Sequence, residues 1–191
     1  MARNKSVDDE TLIIKLTQAF RDYGYEGASL NILAKATGLQ KASLYHRFPG
    51  GKEEMALEVL NRAGNWVGEN IVLPLTSNIK PEKKIKIMAK KLDEFYSGGN
   101  NSCLLNMLAS PEMIKGPFTS HIKEAFEVWI KTLSDVLVES GLSRKESRKR
   151  AENAIAMLQG SLVMSRGMND PKLFKNFLKN LPNMLLDNNK L

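Results

Sequence analysis

With 191 residues, 42% of them hydrophobic and 26% charged, the chain has an ordinary globular composition. That is enough to bury one good core, or a small head and a larger body. No apolar run approaches the ~20 residues of a membrane span, and Met1-Ala2-Arg3-Asn4-Lys5-Ser6-Val7-Asp8 lacks a signal-peptide core, so a cytoplasmic protein with no membrane partner is expected. Cys103 is the only cysteine, which excludes an internal disulfide and a cysteine zinc cluster.

The net charge of +7 does not itself mark a nucleic-acid site. Residues 1–62 hold nine Lys/Arg and eight Asp/Glu, whereas residues 63–191 hold nineteen and thirteen. The local pattern is sharper. Between Gly27 and Lys52 stand Lys35, Lys41, Arg47 and Lys52 with no acid, while Asp22, Glu26, Glu53 and Glu54 crowd the flanks. Such a strip suits phosphate.

In chain order, residues 1–7 are polar and expected to fray, a disordered tail rather than an arm through which Arg3 and Lys5 touch DNA. Asp8, Asp9 and Glu10 place negative charge at the positive end of a first helix. Leu12, Ile13, Leu16, Ala19, Phe20 and Tyr23 then recur at helical spacing, and Gly24 is expected to close it. After the Tyr25-Glu26-Gly27-Ala28 loop, Ser29 can cap a second helix carrying Leu30, Leu33 and Ala34. Thr37-Gly38 supplies a tight turn. Leu44 and Phe48, led by Leu39, give the third helix an apolar back, and Gln40, Lys41, Ser43, His46 and Arg47 give it a polar, cationic front. A helix of that kind suits a DNA major groove, and the pair reads as a helix-turn-helix. Leu16, Phe20, Leu30, Leu33, Leu39, Leu44 and Phe48 are the expected core of the head.

Pro49-Gly50-Gly51 ends the reading helix, and Lys52-Glu53-Glu54 opens a long fourth one. Met55, Leu57, Val59, Leu60 and Trp66 carry it toward Leu73, where Pro74 is expected to stop it. As the one segment leaving the head, it would carry any signal from the body. Pro81 begins a helix with Ile85, Met88, Ala89, Leu92, Phe95 and Tyr96 on one side, and residues 97–101 break it. Cys103 to Ala109 reads as a short helix ended by Pro111. Phe118, Ile122, Phe126, Trp129, Leu133, Val136 and Leu137 make a clean amphipathic run up to Gly141. Ser143 with Glu146 is a capping box. A small-residue stripe follows: Ala151, Ala154, Ile155, Leu158, Ser161, Leu162 and Ser165. The last helix starts after Asn169-Asp170-Pro171 and is expected to kink or end near Pro182. No strand-period segment occurs. The fold class is all-α, about nine helices, with a three-helix DNA-binding head at 1–50 on a helical body at 51–191.

Leu33-Ala34-Lys35-Ala36-Thr37-Gly38-Leu39, then Lys41-Ala42-Ser43-Leu44-Tyr45-His46-Arg47-Phe48 and Lys52-Glu53-Glu54, together resemble the TetR family of bacterial repressors. Pro49-Gly50-Gly51-Lys52-Glu53-Glu54 is similar to its LmrA/YxaF-type branch of drug-efflux regulators. The resemblance runs from about Thr11 to Glu58, and Ile32 departs from it by standing where the family carries a polar residue. Helix-turn-helix geometry makes Lys41 and Ser43 contacts to base edges and phosphates. Gln40 can pair with an adenine edge and Lys41 with guanine. The resemblance implies that Tyr45 and Lys52 hold the phosphate backbone. Ser29 can present its helix N-terminus to a phosphate, and His46 is a further candidate.

The body is rich in methionine and aromatics, ordinarily plain core. Likeness to ligand-gated repressors implies that some line a pocket for a hydrophobic small-molecule effector, with Trp66, Met88, Phe95, Met107, Phe126 and Trp129 as candidates and Met113 nearby in sequence. Helices 143–168 and 171–186 are expected to pair with their twofold mates in a homodimer. Ala151, Ala154, Gly160 and Ser161 would allow close approach, and Leu158, Leu162, Phe174 and Phe177 would supply burial. The operator would be a near-palindromic duplex. Alternatives are an architectural or constitutive DNA-binding protein with no effector, and a redox-responsive regulator acting through Cys103 at a helix start. Only His46 and His121 are available for a triad or metal site, and no glycine loop cradles a phosphate, so neither enzymatic activity, cofactor nor metal is expected.

Overall fold

The structure is a computed structural model and describes residues 7–109 and 116–187. Arg3, Lys5, Pro111 and Met113 lie outside the described residues. All regular structure among those described is helical. The elements are α1 (Asp9–Gly27), α2 (Leu30–Thr37), α3 (Lys41–Arg47), α4 (Gly51–Val67), α5 (Leu73–Thr76), α6 (Pro81–Phe95), α7 (Leu104–Met107), α8 (Thr119–Glu139), α9 (Arg144–Gly167) and α10 (Lys172–Leu186). A π-helical turn, Gly68–Val72, joins α4 to α5 without a break. Counting Gly51–Thr76 as one run gives nine α-helical runs among the described residues.

Three expected helix ends move. Pro74 does not stop the fourth helix, because the turn before it widens: Leu73 N–H bonds the carbonyl of Gly68, five residues back. That register relieves the clash between a proline ring and the preceding turn. Pro182 likewise sits inside α10, which runs on to Leu186. Gly24 interrupts α1 at φ 67 and ψ 177, but a further turn follows to Gly27, and Ala28 N–H returns to the Gly24 carbonyl. Local sequence marks these breakers; at the two prolines the flanking apolar residues Ile71, Leu75, Leu181 and Leu185 are buried, which favours continuing the helix.

The described chain forms two compact units, Met1–Ala63 with Leu104–Ser120, and Gly64–Cys103 with His121–Leu191. In the first, α1 packs on α2 and on α7. Leu12, Leu16, Phe20, Leu33, Leu44, Met55 and Val59 fill its centre, joined by Leu104, Leu108 and Phe118. Leu30 and Leu39, expected in that core, are half-buried, and Tyr23 is exposed. The fourth helix is therefore not the only segment tied to the head. Phe118 and the Leu104–Leu108 turn come from far along the sequence, and no local pattern announces where they dock.

In the second unit, α10 packs against α9 and α6. Tyr96 meets Phe174 edge-on with ring centres 5.8 Å apart. Lys84 on α6 is buried and its ammonium pairs with Glu139 on α8. Arg150 pairs with Glu146 and donates to the carbonyls of Leu185 and Asp187, satisfying groups left open at the end of α10.

Candidate nucleic-acid interface

The turn between α2 and α3 is built from Thr37 and Gly38. The Thr37 hydroxyl donates to the Leu33 carbonyl at 2.8 Å and accepts from Leu39 N–H, which pins both sides of the corner. Lys15 donates to the Thr37 carbonyl, capping the end of α2 from α1. Gly38 takes φ 74, a left-handed conformation that any Cβ would strain. Ser29 caps α2, accepting from Ile32 N–H at 3.4 Å.

With the corner held, Leu44 turns into the core at 0% exposure and Phe48 at 9%. The opposite face of α3 is then open: Lys41, Ser43, Tyr45 and His46 are exposed, and so is Gln40, the N-cap residue, whose side chain makes no capping bond. Neither Lys35 nor Lys41 has an ion-pair partner among the described residues. Their charge faces water, as phosphate binding requires. The Tyr45 ring packs beside Gly51, where a Cβ would stand 3.4 Å from its Cε1. Gly51 has φ 69, and Glu54 accepts from Gly50 N–H at 2.7 Å.

Two cations of the strip are engaged within the protein, which periodicity does not reveal. Arg47 donates to the Val7 carbonyl at 2.6 Å and to Asp9 at 3.2 Å, tying the end of α3 to the start of α1. Lys52 donates to the Tyr25 carbonyl at 2.9 Å, with its ammonium 4.2 Å from the centre of the Tyr25 ring. Tyr25 is itself packed between Phe20 and Phe118, at 6.4 and 4.9 Å between ring centres. Burial, then the nearby Glu53 and Glu26 charges, push its hydroxyl above the ordinary phenol value. Tyr25 and Phe118 were not among the residues expected at the interface; the only sequence signal was an aromatic in an otherwise polar loop.

The residues expected around an effector separate. Trp66 stacks on Phe95 at 4.6 Å, and Phe95 meets Tyr96 edge-on at 5.0 Å. Met88 and Trp129 are buried, Phe126 is half-buried, and the Trp129 indole N–H has no hydrogen-bond partner among the described residues. These belong to the second unit, whereas Met107 belongs to the first. Cys103 is buried and accepts from Tyr96 Oη at 3.5 Å and Gln159 Nε2 at 3.4 Å.

The residues expected to pair two chains are mostly covered by their own. Ala151, Ala154, Leu158, Leu162, Phe174 and Phe177 are buried within the chain, where α9 packs on α10, and Ser161 is half-buried, so a second chain could touch little of them. Gly160 alone is exposed. The small-residue stripe lets α9 and α10 approach each other within one chain. The open large apolar side chains here are Met157, Val163 and Met164 on α9 and Met168 at its C-cap.

Comparison with known proteins agrees with this geometry. Residues 82–180 match the family described as transcriptional regulator LmrA/YxaF-like, C-terminal domain, and residues 16–59 match bacterial regulatory proteins, tetR family. The HTH-type transcriptional regulator LmrA of Bacillus subtilis is 27% identical over 159 residues, covering 82% of this chain and 85% of LmrA. YxaF of the same organism is 26% identical, over 82% of this chain and 83% of its own length. A TetR transcriptional regulator from Legionella pneumophila superposes with a TM-score of 0.80 at 22% identity, covering 96% of this chain and all of that one. The regulator CifR, solved with a 26-base-pair operator, superposes at 0.71 and 19% identity over 94% of this chain and 98% of its own. A helix-turn-helix with an exposed cationic face and a buried apolar back, and family matches over both ends of the fold, have one meaning: the chain belongs to the TetR family of DNA-binding transcriptional regulators, in its LmrA/YxaF-like branch.

Proposed function

We propose that the protein is a one-component repressor that binds a near-palindromic operator as a cytoplasmic homodimer and is released by an apolar small molecule. Residues 1–50 read DNA; residues 51–191 sense the effector and pair the chains. The observation that carries the reading is the exposed face of α3, where Gln40, Lys41, Ser43, Tyr45 and His46 stand open opposite the buried Leu44. Lys41 and Gln40 have the donors for base edges, while Ser43, Tyr45, Lys52 and the N-terminus at Ser29 hold phosphates. Two such helices about 34 Å apart, or a multiple of that, fit successive major grooves.

Pairing uses the outward side of α9. Met157, Gly160, Met164 and Met168 follow at helical spacing along one face, the methionines 49%, 54% and 64% exposed. A Cβ at Gly160 would meet nothing within 4 Å, leaving room for a second helix. A groove of about 640 Å³ beside this face, lined by Arg150, Asn153, Met157, Asn180, Asn183 and Met184, accepts side chains of the mate.

The effector binds in the second unit beside the Trp66–Phe95 stack, with Trp129 and Phe126 near it. It must favour a state whose reading helices no longer match groove spacing, since equal affinity for both states shifts nothing. A tenfold loss of operator affinity needs a difference of about 1.4 kcal/mol. The test is a screen of lipophilic compounds by tryptophan fluorescence, for Trp66 and Trp129 are the only tryptophans. A compound that quenches the wild type but not Trp66→Phe, and that also releases a selected operator duplex, supports the reading. A fluorescence change with unaltered DNA affinity removes the switch.

A further inference from the structure

We propose that Tyr25, braced by Phe118, is a positioning residue for Lys52, and that residues 116–120 thereby form a connection into the DNA-reading unit besides α4. The inference rests on the reading of Lys52 as a phosphate contact.

The Tyr25 carbonyl accepts from Lys52 Nζ at 2.9 Å, and the ring face lies 4.2 Å from the same ammonium. A lysine side chain in water samples many rotamers and loses that freedom on meeting a phosphate. Here much of the ordering has already taken place. An ammonium carries three donors; the carbonyl takes one, and the others remain for phosphate oxygens. The ring adds attraction for the charge without consuming a donor.

Tyr25 is not free to move. Phe20, at 0% exposure, stacks on it, and Phe118, also at 0%, meets it edge-on at 4.9 Å. Phe118 immediately precedes α8, and α8 continues from His121 through the second unit. A shift at the start of α8 is therefore transmitted through Phe118 to Tyr25 and from Tyr25 to the Lys52 ammonium, independently of the length of α4. Lys52 lies in the first turn of α4, directly after the reading helix.

The test uses the full chain and the tightest duplex it selects from a randomised library. Affinity is measured against salt for wild type, Tyr25→Phe, Tyr25→Leu, Phe118→Leu, Lys52→Met, each of the last two aromatic losses combined with Lys52→Met, and Lys41→Ala. Lys52→Met should flatten the slope of log affinity against log salt by about one. Tyr25→Leu should weaken binding about three- to tenfold and flatten the same slope, Tyr25→Phe should not, and Lys52→Met added to Tyr25→Leu should cost little more. Phe118→Leu should give a smaller loss with the same non-additivity, and it decides the matter if Tyr25→Leu fails to fold. An unchanged slope, or losses that simply add, overturns the proposal. If Lys41→Ala weakens binding while the aromatic variants keep the wild-type slope, only this inference falls. If Lys41→Ala binds like wild type, the DNA reading falls and takes this with it.

Discussion

A β-carbon added to Gly99 would stand 2.8 Å from the β-carbon of Phe174. Gly99 lies in the 3-10 turn after α6, at φ 97, and Phe174 is fully buried in α10. The backbone of one element rests directly on the side chain of another. Gly99→Ala combines a steric clash with left-handed strain and should cost about 2–4 kcal/mol. Gly141 is the control: its φ is 102, but a Cβ there would meet nothing within 4 Å. Gly141→Ala should cost about 1 kcal/mol. Urea unfolding of the two variants measures the difference, and equal losses would show that the contact with Phe174 is relieved cheaply.

Lys41 and Arg47 sit on one short helix and should behave oppositely. Lys41 is exposed and unpaired among the described residues, so Lys41→Ala should leave the melting temperature unchanged and weaken a specific duplex by about 1–3 kcal/mol. Arg47 spends its donors on the Val7 carbonyl and Asp9. Arg47→Ala should lower stability by about 1 kcal/mol and weaken DNA binding only as far as the head loosens. Calorimetry and gel retardation on the same preparations separate the two.

The exposed methionines of α9 and its C-cap lead to a prediction about assembly. Met164→Asp or Met168→Asp should leave the helical circular dichroism intact and give a sedimentation mass of one chain at micromolar concentration. Leu158→Ala should instead destabilise the fold by about 2–5 kcal/mol, because Leu158 is 1% exposed within its own chain. A dimer that survives both aspartates would move the pairing face elsewhere.

Stability should fall on the acid side. Asp8 is held below its ordinary value of 3.8 first by the Thr11 backbone N–H, which its carboxylate accepts as N-cap of α1. Glu146 is held below 4.5 first by its hydrogen bond from Arg150, and Glu94 likewise by Lys91. A carboxyl whose folded pKa is depressed contributes stability above its unfolded pKa and loses it as pH falls through the folded one. The melting temperature should therefore be flat above about pH 5 and decline below about pH 4. Glu146→Gln should shallow that decline. A decline of identical depth in Glu146→Gln would show that other carboxylates dominate.

Much of this protein was legible in the residues alone. The spacing of Leu33, Thr37, Gly38, Leu44 and Phe48 fixes a helix-turn-helix, because the period of a helix and the left-handed tolerance of glycine are properties of adjacent residues. The same holds for the Ser29 and Ser143 caps and for the all-helical class, where hydrophobic period alone decides.

Tertiary structure decided what depends on distant partners. Arg47 and Lys41 are both cations on α3, yet one is spent on α1 and the other faces water. Ala151 and Leu158 read as an interface stripe, but both are already buried within their own chain. Phe118, ninety-three positions after Tyr25 in the numbering, joins the unit that reads DNA. Periodicity states which face of a helix is apolar; which neighbour covers it is settled only when the chain closes on itself and apolar area is shared among all the faces that compete for it.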